Sequence, residues 1–456
     1  MTRPATASRP QNIVLLIADS LRYDSVHPDG LPVGLPYTAS QATRFTQARS
    51  GGCWTLPATA SLFTGLMPHE HGADTHSRGL GRDVPTLAGV LREHGYSTHQ
   101  ITANVATTDV FGLDAGFDEI YRVWKEVPAV HRKIHEVMVL IGKPRLRRKI
   151  LSTEFVTGKL SEDLEASKVW LQSTIDAVFD RARATLAVNS AAGKGSFLFL
   201  NLMETHFPYH VAPTFETTAE GLFDKIREVL ALYHLVNQTW LTRERNPIAD
   251  RQMGVLRERQ KEAWRFVAAR VDAFVRELRE TGDNLVIFGS DHGDCFGEQG
   301  WSYHFSNVAD AGNRVPLYWL RADGAGAGRV IDTPVSARDV YHGVLREVGD
   351  PRGAHHITAE PERSLPVMES AWYNNQGKTL QRYRYDQIAF VEGGQRFLNR
   401  QGGWWTAAAA TVGPEPVFEE MPRGVDPIED AVPPNRRLAL RETVSAFRAF
   451  ATEHGG

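Results

Sequence analysis

Three short runs of consecutive apolar residues constrain the fold more than any other feature of this chain. They lie at residues 12–18, 196–202 and 284–289 and consist largely of Leu, Ile, Val and Phe. Unbroken apolar runs of this length are typical of strands buried on both faces of a parallel sheet, whereas a strand with one wet face alternates apolar and polar residues. The sequence therefore predicts an α/β fold: a three-layer sandwich with a mostly parallel central sheet between helices.

Each of these runs ends directly in polar residues that are able to carry chemistry. Asp19 follows the first run, Glu204-Thr205-His206 the second, and Asp291-His292 comes shortly after the third. In open α/β sheets, ligands bind in the crevice at the carboxyl ends of the strands. We therefore expect these strand ends to contribute to one common site.

A divalent cation is the cofactor that this set of residues predicts. Asp19, Asp291 and His292, together with the hydroxyl oxygen of Thr55, offer the mixed oxygen and nitrogen ligands that Mn²⁺, Ca²⁺, Mg²⁺ or Zn²⁺ accept. A lone Asp or His is more often a capping or surface residue, so the prediction rests on their joint occurrence at the ends of buried strands.

The segment 53–65 predicts a helix that begins near a hydroxyl side chain. Pro57 suits the first turn of a helix, where a missing N–H group costs nothing, and Thr55 then lies at the helix start. Free N–H groups and the helix dipole favour an anionic substrate there. Thr55 becomes a nucleophile if a cation lowers the pKa of its hydroxyl; the alternative is a simple N-cap.

Composition changes along the chain indicate two domains. Residues 1–332 are predicted to form the catalytic domain, with a helical insertion at about 121–190. Residues 333–456 contain short strand-like segments and a closing helical pattern, which predicts a smaller C-terminal α+β subdomain.

Charge and targeting signals argue against several functional classes. The net charge of −3 gives no reason to expect nucleic acid or an anionic membrane as a partner. The basic run at 143–149 is interpreted as a solvated helix end or loop, the alternative being a patch that steers an anionic substrate. We find no apolar leader segment, no run of 18 apolar residues and only two cysteines, so a cytoplasmic location is predicted.

The chain resembles sulfatase-like enzymes of the alkaline phosphatase superfamily. The similar segments occur in the family's order at residues 12–22, 57–65, 67–72, 95–98, 116–118, 203–209, 290–300 and 313–317. This resemblance implies an alkaline-phosphatase-like sandwich and a metal-dependent ester hydrolase acting on a small anionic ester. It leaves the oligomeric state open, a homo-oligomer included.

The departures from the family bear on the nucleophile. Sulfatases make a formylglycine from Cys or Ser within a Cys/Ser-x-Pro-x-Arg signature. Alignment on Pro57 puts Thr55 at that position and Thr59 in place of the Arg, so the modification signal is absent. Cys53 lies two residues too early to serve instead. Ser20 replaces the second metal-binding Asp of sulfatases.

The remaining set of Asp19, Thr55, Asp291 and His292 resembles that of the phosphoglycerol and phosphoethanolamine transferases, which use a Thr nucleophile. Those relatives carry membrane spans and this sequence shows none, so water is the expected acceptor. The predicted function is metal-dependent hydrolysis of phosphate mono- or diesters. The alternatives are a sulfatase without formylglycine, a phospho-group transferase with a soluble acceptor, or a silent relative that binds an anion.

The resemblance also implies supporting roles for four further residues. His206 is expected to protonate the leaving group and His304 to hold a non-bridging oxygen, although either can instead be a hydrogen-bonded loop histidine. Asn104 stands roughly where sulfatases carry sulfate-binding residues, and Asn104 and Arg22 are expected to contact substrate oxygens.

Overall fold

The computed structural model of the chain describes residues 9–74, 79–126, 173–207, 209, 247–304, 307–359, 367–370, 386–400, 402–409 and 416–453. Its strands are β1 (Asn12–Ala18), β2 (Thr43–Phe45), β3 (Ala48–Arg49), β4 (Ser97–Thr102), β5 (Glu119–Arg122), β6 (Ser196–Leu202), β7 (Asn284–Gly289), β8 (Cys295–Phe296), β9 (Ser302–Tyr303), β10 (Leu317–Leu320), β11 (Val330–Ile331), β12 (Val335–Ser336), β13 (Val367–Ser370), β14 (Gln387–Glu392), β15 (Gln395–Arg400), β16 (Gly403–Ala408) and β17 (Glu419–Glu420). Its α-helices are α1 (Tyr23–Val26), α2 (Pro36–Gln41), α3 (Thr55–Thr64), α4 (Pro68–His71), α5 (Leu87–Glu93), α6 (Ile175–Ala191), α7 (Pro247–Glu280), α8 (Asp310–Asn313), α9 (Asp339–Glu347), α10 (Pro427–Ala431) and α11 (Pro434–Glu453).

The central sheet has the strand order β11-β2-β10-β7-β1-β6-β4-β5. Strand β1 pairs in parallel with both β6 and β7, and β4 and β5 continue the parallel arrangement, whereas β10 is antiparallel to its neighbours β7 and β2. The three apolar runs are therefore adjacent strands. Because Ala18 lies opposite Leu202 and Ile17 opposite Gly289, the residues that follow all three strands emerge at one edge of the sheet.

Helices cover both faces of this sheet, which explains the unbroken apolar sequence of β1. Ile13 and Leu15 face a core shared with α3, α5 and α9, while Val14 and Leu16 face a second core shared with α6 and α7. Full burial of one such side chain contributes about 1.5–3 kcal/mol. The predicted three-layer α/β sandwich with a mostly parallel sheet is confirmed.

A separate antiparallel sheet, β13-β14-β15-β16-β17, forms the C-terminal subdomain with α10 and α11. Its core includes Phe390 and Phe397 from the sheet and Val444 and Phe447 from α11, and Met67 of the large domain joins it. The predicted smaller α+β subdomain is thus present at the C-terminus.

The boundary between the two units stays a prediction. Strand β12 pairs with β3, and helix α9 packs into the core of the large sheet through Val340 and Val344. Ile357 belongs to that same core. These contacts favour a boundary after residue 357 rather than at 332.

The predicted helical insertion at about 121–190 falls largely on residues 127–172, which lie outside the described residues, as does the basic run at 143–149. Helix α6, at the end of that range, packs under the central sheet through Val178 and Phe179. Among the helices of the described ranges, none combines the length and apolar character needed to cross a membrane.

Candidate active site

Helix α3 begins at Thr55, as the position of Pro57 predicts. The preceding residue, Trp54, is extended, and no side chain caps the helix start. A Cβ atom at Gly52 would lie 2.8 Å from the Cβ of Pro57 and 2.9 Å from the backbone nitrogen of Ala58, so only glycine fits against the first turn. Trp54 occupies the N-cap position, so Thr55 is the first residue of the helix and not its cap.

The hydroxyl of Thr55 instead faces the residues at the strand ends. Its Oγ1 lies 3.3 Å from Nε2 of His292. The same nitrogen lies 3.6 Å from Oδ1 of Asp19 and 3.5 Å from Oδ2 of Asp291. All four side chains are buried. The structure therefore brings together the four residues that were predicted to bind the metal.

His292 is oriented by its own backbone. Its Nδ1 lies 3.0 Å from the carbonyl oxygen of Gly293, and because a carbonyl only accepts hydrogen bonds, Nδ1 carries the proton. The lone pair of Nε2 then points toward Asp19 and Asp291. Metal-binding histidines are commonly fixed in this way by a hydrogen bond at the other ring nitrogen.

Asp291 is the residue whose surroundings most favour a bound cation. Its Oδ1 accepts hydrogen bonds from the N–H groups of His292 at 2.9 Å and Ser20 at 3.2 Å, whereas its buried Oδ2 makes no hydrogen bond. Burial, followed by the nearby charge of Asp19, raises the pKa of Asp291 well above its ordinary value. A divalent ion among Asp19, Asp291 and His292 would satisfy the unpaired oxygen, so the residues present fit the predicted metal.

Two amides complete the surroundings of Asp19. Asn104 donates from Nδ2 to Oδ2 of Asp19 at 2.7 Å and to Oγ1 of Thr55 at 3.4 Å, and Asn201 donates to the same carboxylate oxygen at 3.3 Å. Asn104 is held in place because its Oδ1 accepts from the N–H of Ala106 at 2.8 Å. It thus lies beside the hydroxyl of Thr55, where its sequence position suggested a substrate contact.

A second cluster borders the first, built around Asp294. Its Oδ1 lies 2.5 Å from Nδ1 of His304, and its Oδ2 accepts from the Tyr209 hydroxyl at 3.1 Å. Burial favours the neutral acid, but the charge and hydrogen bond of His304 outweigh it and lower the pKa of Asp294. The ring of His304 lies 4.6 Å from that of His292 and 5.3 Å from that of His206.

The two predicted supporting histidines are therefore part of the same site. His206 is half-buried, and its Nδ1 lies 2.8 Å from the carbonyl oxygen of Phe207, which leaves Nε2 for other contacts. Asp294 and Tyr209 were missed as site residues. Asp294 stands inside the family-like segment at 290–300, but sequence alone does not show that its carboxylate faces a histidine ten positions later.

Arg22 is turned away from these groups. Its guanidinium donates to both carboxylate oxygens of Asp24 at 2.7 Å, to Glu298 at 2.7 Å and to the carbonyl oxygen of Asp294 at 2.9 Å. A substrate contact by Arg22 stays a prediction, and these bonds weigh against it. They indicate that Arg22 supports the loop carrying Asp294.

Buried carboxylates, an imidazole and a hydroxyl thus meet at the carboxyl edge of the parallel sheet. The sulfatase family model matches residues 11–349, about three quarters of the chain. The chain therefore belongs to the sulfatase family. The resemblance inferred from the ordered sequence segments is confirmed, and so is the expectation of an ester hydrolase.

Solved structures share the fold at low identity. A phosphonate monoester hydrolase of Agrobacterium radiobacter matches with a TM-score of 0.58 and 16% identity, over 98% of this chain and 96% of its own. BT4656, solved in complex with its substrate D-glucosamine-2-N,6-O-disulfate, matches with a TM-score of 0.59 and 13% identity, over 97% and 99%. A protein in the alkaline phosphatase superfamily from Vibrio parahaemolyticus matches with a TM-score of 0.53 and 14% identity, over 99% and 93%. The search of curated proteins found no match.

Proposed function

We propose that this protein hydrolyses phosphate mono- or diesters, with Thr55 as the nucleophile and water as the final acceptor. The observation that carries the proposal is the position of the Thr55 hydroxyl, 3.3 Å from Nε2 of His292 and within reach of the amide of Asn104. A threonine at this place is not a substrate for conversion to formylglycine. Phosphoryl transfer needs only an oriented hydroxyl and compensation of charge on the transferred group.

The proposed metal ligands are Asp19, Thr55, Asp291 and His292. A bound divalent cation would lower the pKa of the Thr55 hydroxyl and neutralise charge on the phosphoryl oxygens. Whether it is Mn²⁺, Ca²⁺, Mg²⁺ or Zn²⁺ is not fixed by these ligands, because all four ions accept carboxylate oxygen and imidazole nitrogen.

The protein's own groups would carry the remaining steps. The Thr55 hydroxyl gives up its proton to bulk water and its oxygen attacks phosphorus. The bond from phosphorus to the leaving oxygen breaks, and His206 donates a proton to that oxygen. His304 holds a non-bridging oxygen through Nε2, because its Nδ1 is bonded to Asp294. Water then attacks the phosphothreonine and gives a proton to His206, while the bond from phosphorus to the Thr55 oxygen breaks and that oxygen regains a proton from bulk water. Phosphate is released from a monoester substrate and a phosphate monoester from a diester.

Sulfate ester hydrolysis is the second candidate. It is favoured by membership of the sulfatase family and by the likeness to BT4656, whose substrate is a disulfated glucosamine. The likeness to a phosphonate monoester hydrolase favours a phosphorus ester instead. Both neighbours act on small anionic esters, which is the substrate class proposed for this chain.

The test compares wild type, Thr55→Ala and Thr55→Ser with each of the four metals on matched aryl phosphate monoesters, phosphate diesters, phosphonates and sulfates. Loss of the attacking oxygen in Thr55→Ala should reduce turnover by on the order of 10³-fold or more. Thr55→Ser retains the hydroxyl and should keep part of the activity. Mass spectrometry of the quenched reaction should find phosphate on Thr55.

Wild-type turnover in Thr55→Ala would remove the nucleophile assignment. Faster cleavage of the aryl sulfate than of every phosphorus ester would replace the proposed substrate with a sulfate ester, and the nucleophile assignment would then be judged on Thr55→Ala alone.

A further inference from the structure

A buried ion cluster of Arg49, Asp310 and Arg396 lies outside the site described above. Oδ1 of Asp310 is 3.1 Å from Nε of Arg49 and 3.6 Å from Nη1 of Arg396, and its Oδ2 accepts from Nη2 of Arg49 at 3.3 Å. Both arginine residues are 0% exposed and Asp310 is 4% exposed. Buried ion pairs of this kind add little to stability compared with a well-packed apolar group. The segments that the cluster joins therefore say more about its role than its contribution to stability does.

Arg49 stands at the start of the segment that carries the nucleophile. The connection from Arg49 to Thr55 is conformationally restrained, because the Ser50 hydroxyl donates to the Gly52 carbonyl at 2.8 Å and Gly52 packs against the first turn of α3. The N–H of Ser50 also donates to the carbonyl of Asn313 in α8 at 2.8 Å. A shift of Arg49 would therefore be transmitted to Thr55.

Asp310 stands at the start of α8, which contacts the loop carrying the metal ligands. The N–H of Gly293, next to His292, donates to the carbonyl of Gly312 at 2.7 Å. A Cβ atom at Gly293 would lie 2.3 Å from the carbonyl oxygen of Ala311, so the two segments pack without a gap. Asp310 thus belongs to a helix packed against the loop of the proposed metal ligands, and it pairs directly with Arg49, which precedes the segment of Thr55.

Arg396 brings the C-terminal sheet to the same carboxylate. It lies on β15, donates from Nη2 to the carbonyl of Pro416 at 2.8 Å and stacks over the ring of Phe418 at 4.6 Å. The planar guanidinium fixes the direction of the groups it binds, which a flexible lysine does less well. The subdomain therefore contributes a rigidly held cation to the carboxylate of Asp310.

We propose that Asp310, bridged to Arg49 and Arg396, is a positioning residue that sets the distance between the Thr55 hydroxyl and His292, and that the C-terminal sheet is needed for this alignment. The proposal rests on the assignment of Thr55 as the nucleophile. A misplacement of about 1 Å at a reacting group can reduce turnover by about 10²-fold.

The experiment measures kcat, KM and thermal unfolding for Asp310→Asn, Arg396→Met and Arg396→Lys on the aryl ester that the wild type hydrolyses fastest. We expect kcat to fall about 10- to 100-fold in Asp310→Asn and Arg396→Met with KM changed less than about twofold. Arg396→Lys keeps the charge and should recover part of kcat. The double variant Asp310→Asn/Arg396→Met should lose no more kcat than the less active of its two single variants, since both substitutions act through one cluster.

Glu347→Gln is the matched control. The side chain of Glu347 is 9% exposed, and its carboxylate pairs with Arg321 at 3.4 Å and His356 at 2.9 Å. None of these three residues is among the proposed site residues, so kcat should stay at the wild-type value. A crystal structure of Asp310→Asn should show Thr55 Oγ1 farther from His292 Nε2 than 3.3 Å.

Unchanged kcat in the cluster variants with a lowered melting temperature would reduce the cluster to a structural role and overturn the proposal. If Asp310→Asn does not fold, Arg396→Met decides the outcome, because unchanged kcat in that folded variant contradicts the proposal equally. An active Thr55→Ala variant would instead overturn the proposed function, so the two failures are distinguishable.

Discussion

Asp291 and Asp294 follow the same strand, β7, and both carboxyl groups are buried, yet their surroundings are opposite. Asp291 faces the carboxylate of Asp19 and keeps one oxygen without a hydrogen bond, whereas both oxygens of Asp294 are bonded, to His304 and Tyr209. The pKa of Asp291 is raised and that of Asp294 is lowered. Burial alone therefore does not decide the charge of a carboxyl group; its partners do.

This difference assigns the two residues separate tasks. The protein leaves one oxygen of Asp291 without a hydrogen bond, as expected of a carboxylate that binds a cation. Asp294 is already satisfied, and it fixes the ring of His304 beside the rings of His292 and His206. We infer that Asp291 binds the cation and that Asp294 orients the ring of His304.

The largest effect is expected from Asp291→Asn. The substitution keeps the shape of the side chain but removes the charge that holds the cation, so metal content and turnover should both be lost, the latter by on the order of 10³-fold or more. Elemental analysis and aryl ester hydrolysis, measured on the same preparation, test this. Full metal occupancy in the variant would show that Asp291 is not a ligand and would erase the contrast with Asp294.

Asp294→Asn should have a smaller effect on rate. The amide still contacts His304, but it no longer fixes which ring nitrogen carries the proton, so kcat should fall by about 10- to 10²-fold while metal content is retained. Kinetics across pH combined with elemental analysis separate the two aspartates. Loss of the metal in Asp294→Asn would instead make Asp294 and His304 part of a second ligand set, which their geometry with His292 allows.

The smallest effect concerns the stability of the metal-free protein, where the two substitutions should act with opposite sign. The raised pKa of Asp291 means that its contribution to stability is fully present below the unfolded-state pKa and is lost as pH rises through the folded-state pKa. At neutral pH, Asp291→Asn should therefore raise the melting temperature measured in the presence of a chelator.

Asp294 behaves in the reverse way. Its lowered pKa contributes stability above the unfolded-state value, and that stability is lost as pH falls through the folded-state pKa, so Asp294→Asn should lower the melting temperature at neutral pH. Each kcal/mol corresponds to a shift of roughly 2–4 °C or less for a chain of this size. Shifts of the same sign in both variants would contradict the opposite assignments.

Much of the fold was predictable because the signals are local. The unbroken apolar runs follow from burial on both faces, and Pro57 marks the start of α3, so the edge of the sheet and the position of Thr55 could be read from sequence. Asp19, Asp291 and His292 come shortly after strands that the same signal identifies. The prediction of Arg22 as a substrate contact lacked such a signal, and its partners Asp24 and Glu298 appear only in the structure.

The sequence by itself determined the mostly parallel sheet, the strand ends that meet at one edge and the threonine at a helix start, because periodicity, chain direction and the missing N–H of proline are properties of short segments. Only the tertiary structure decided that Asp294 orients His304, that Asn104 lies between Asp19 and Thr55, and that Arg49, Asp310 and Arg396 share one buried cluster. These contacts join segments far apart in the chain. Which atoms meet there depends on the packing of whole layers, and no local pattern encodes it.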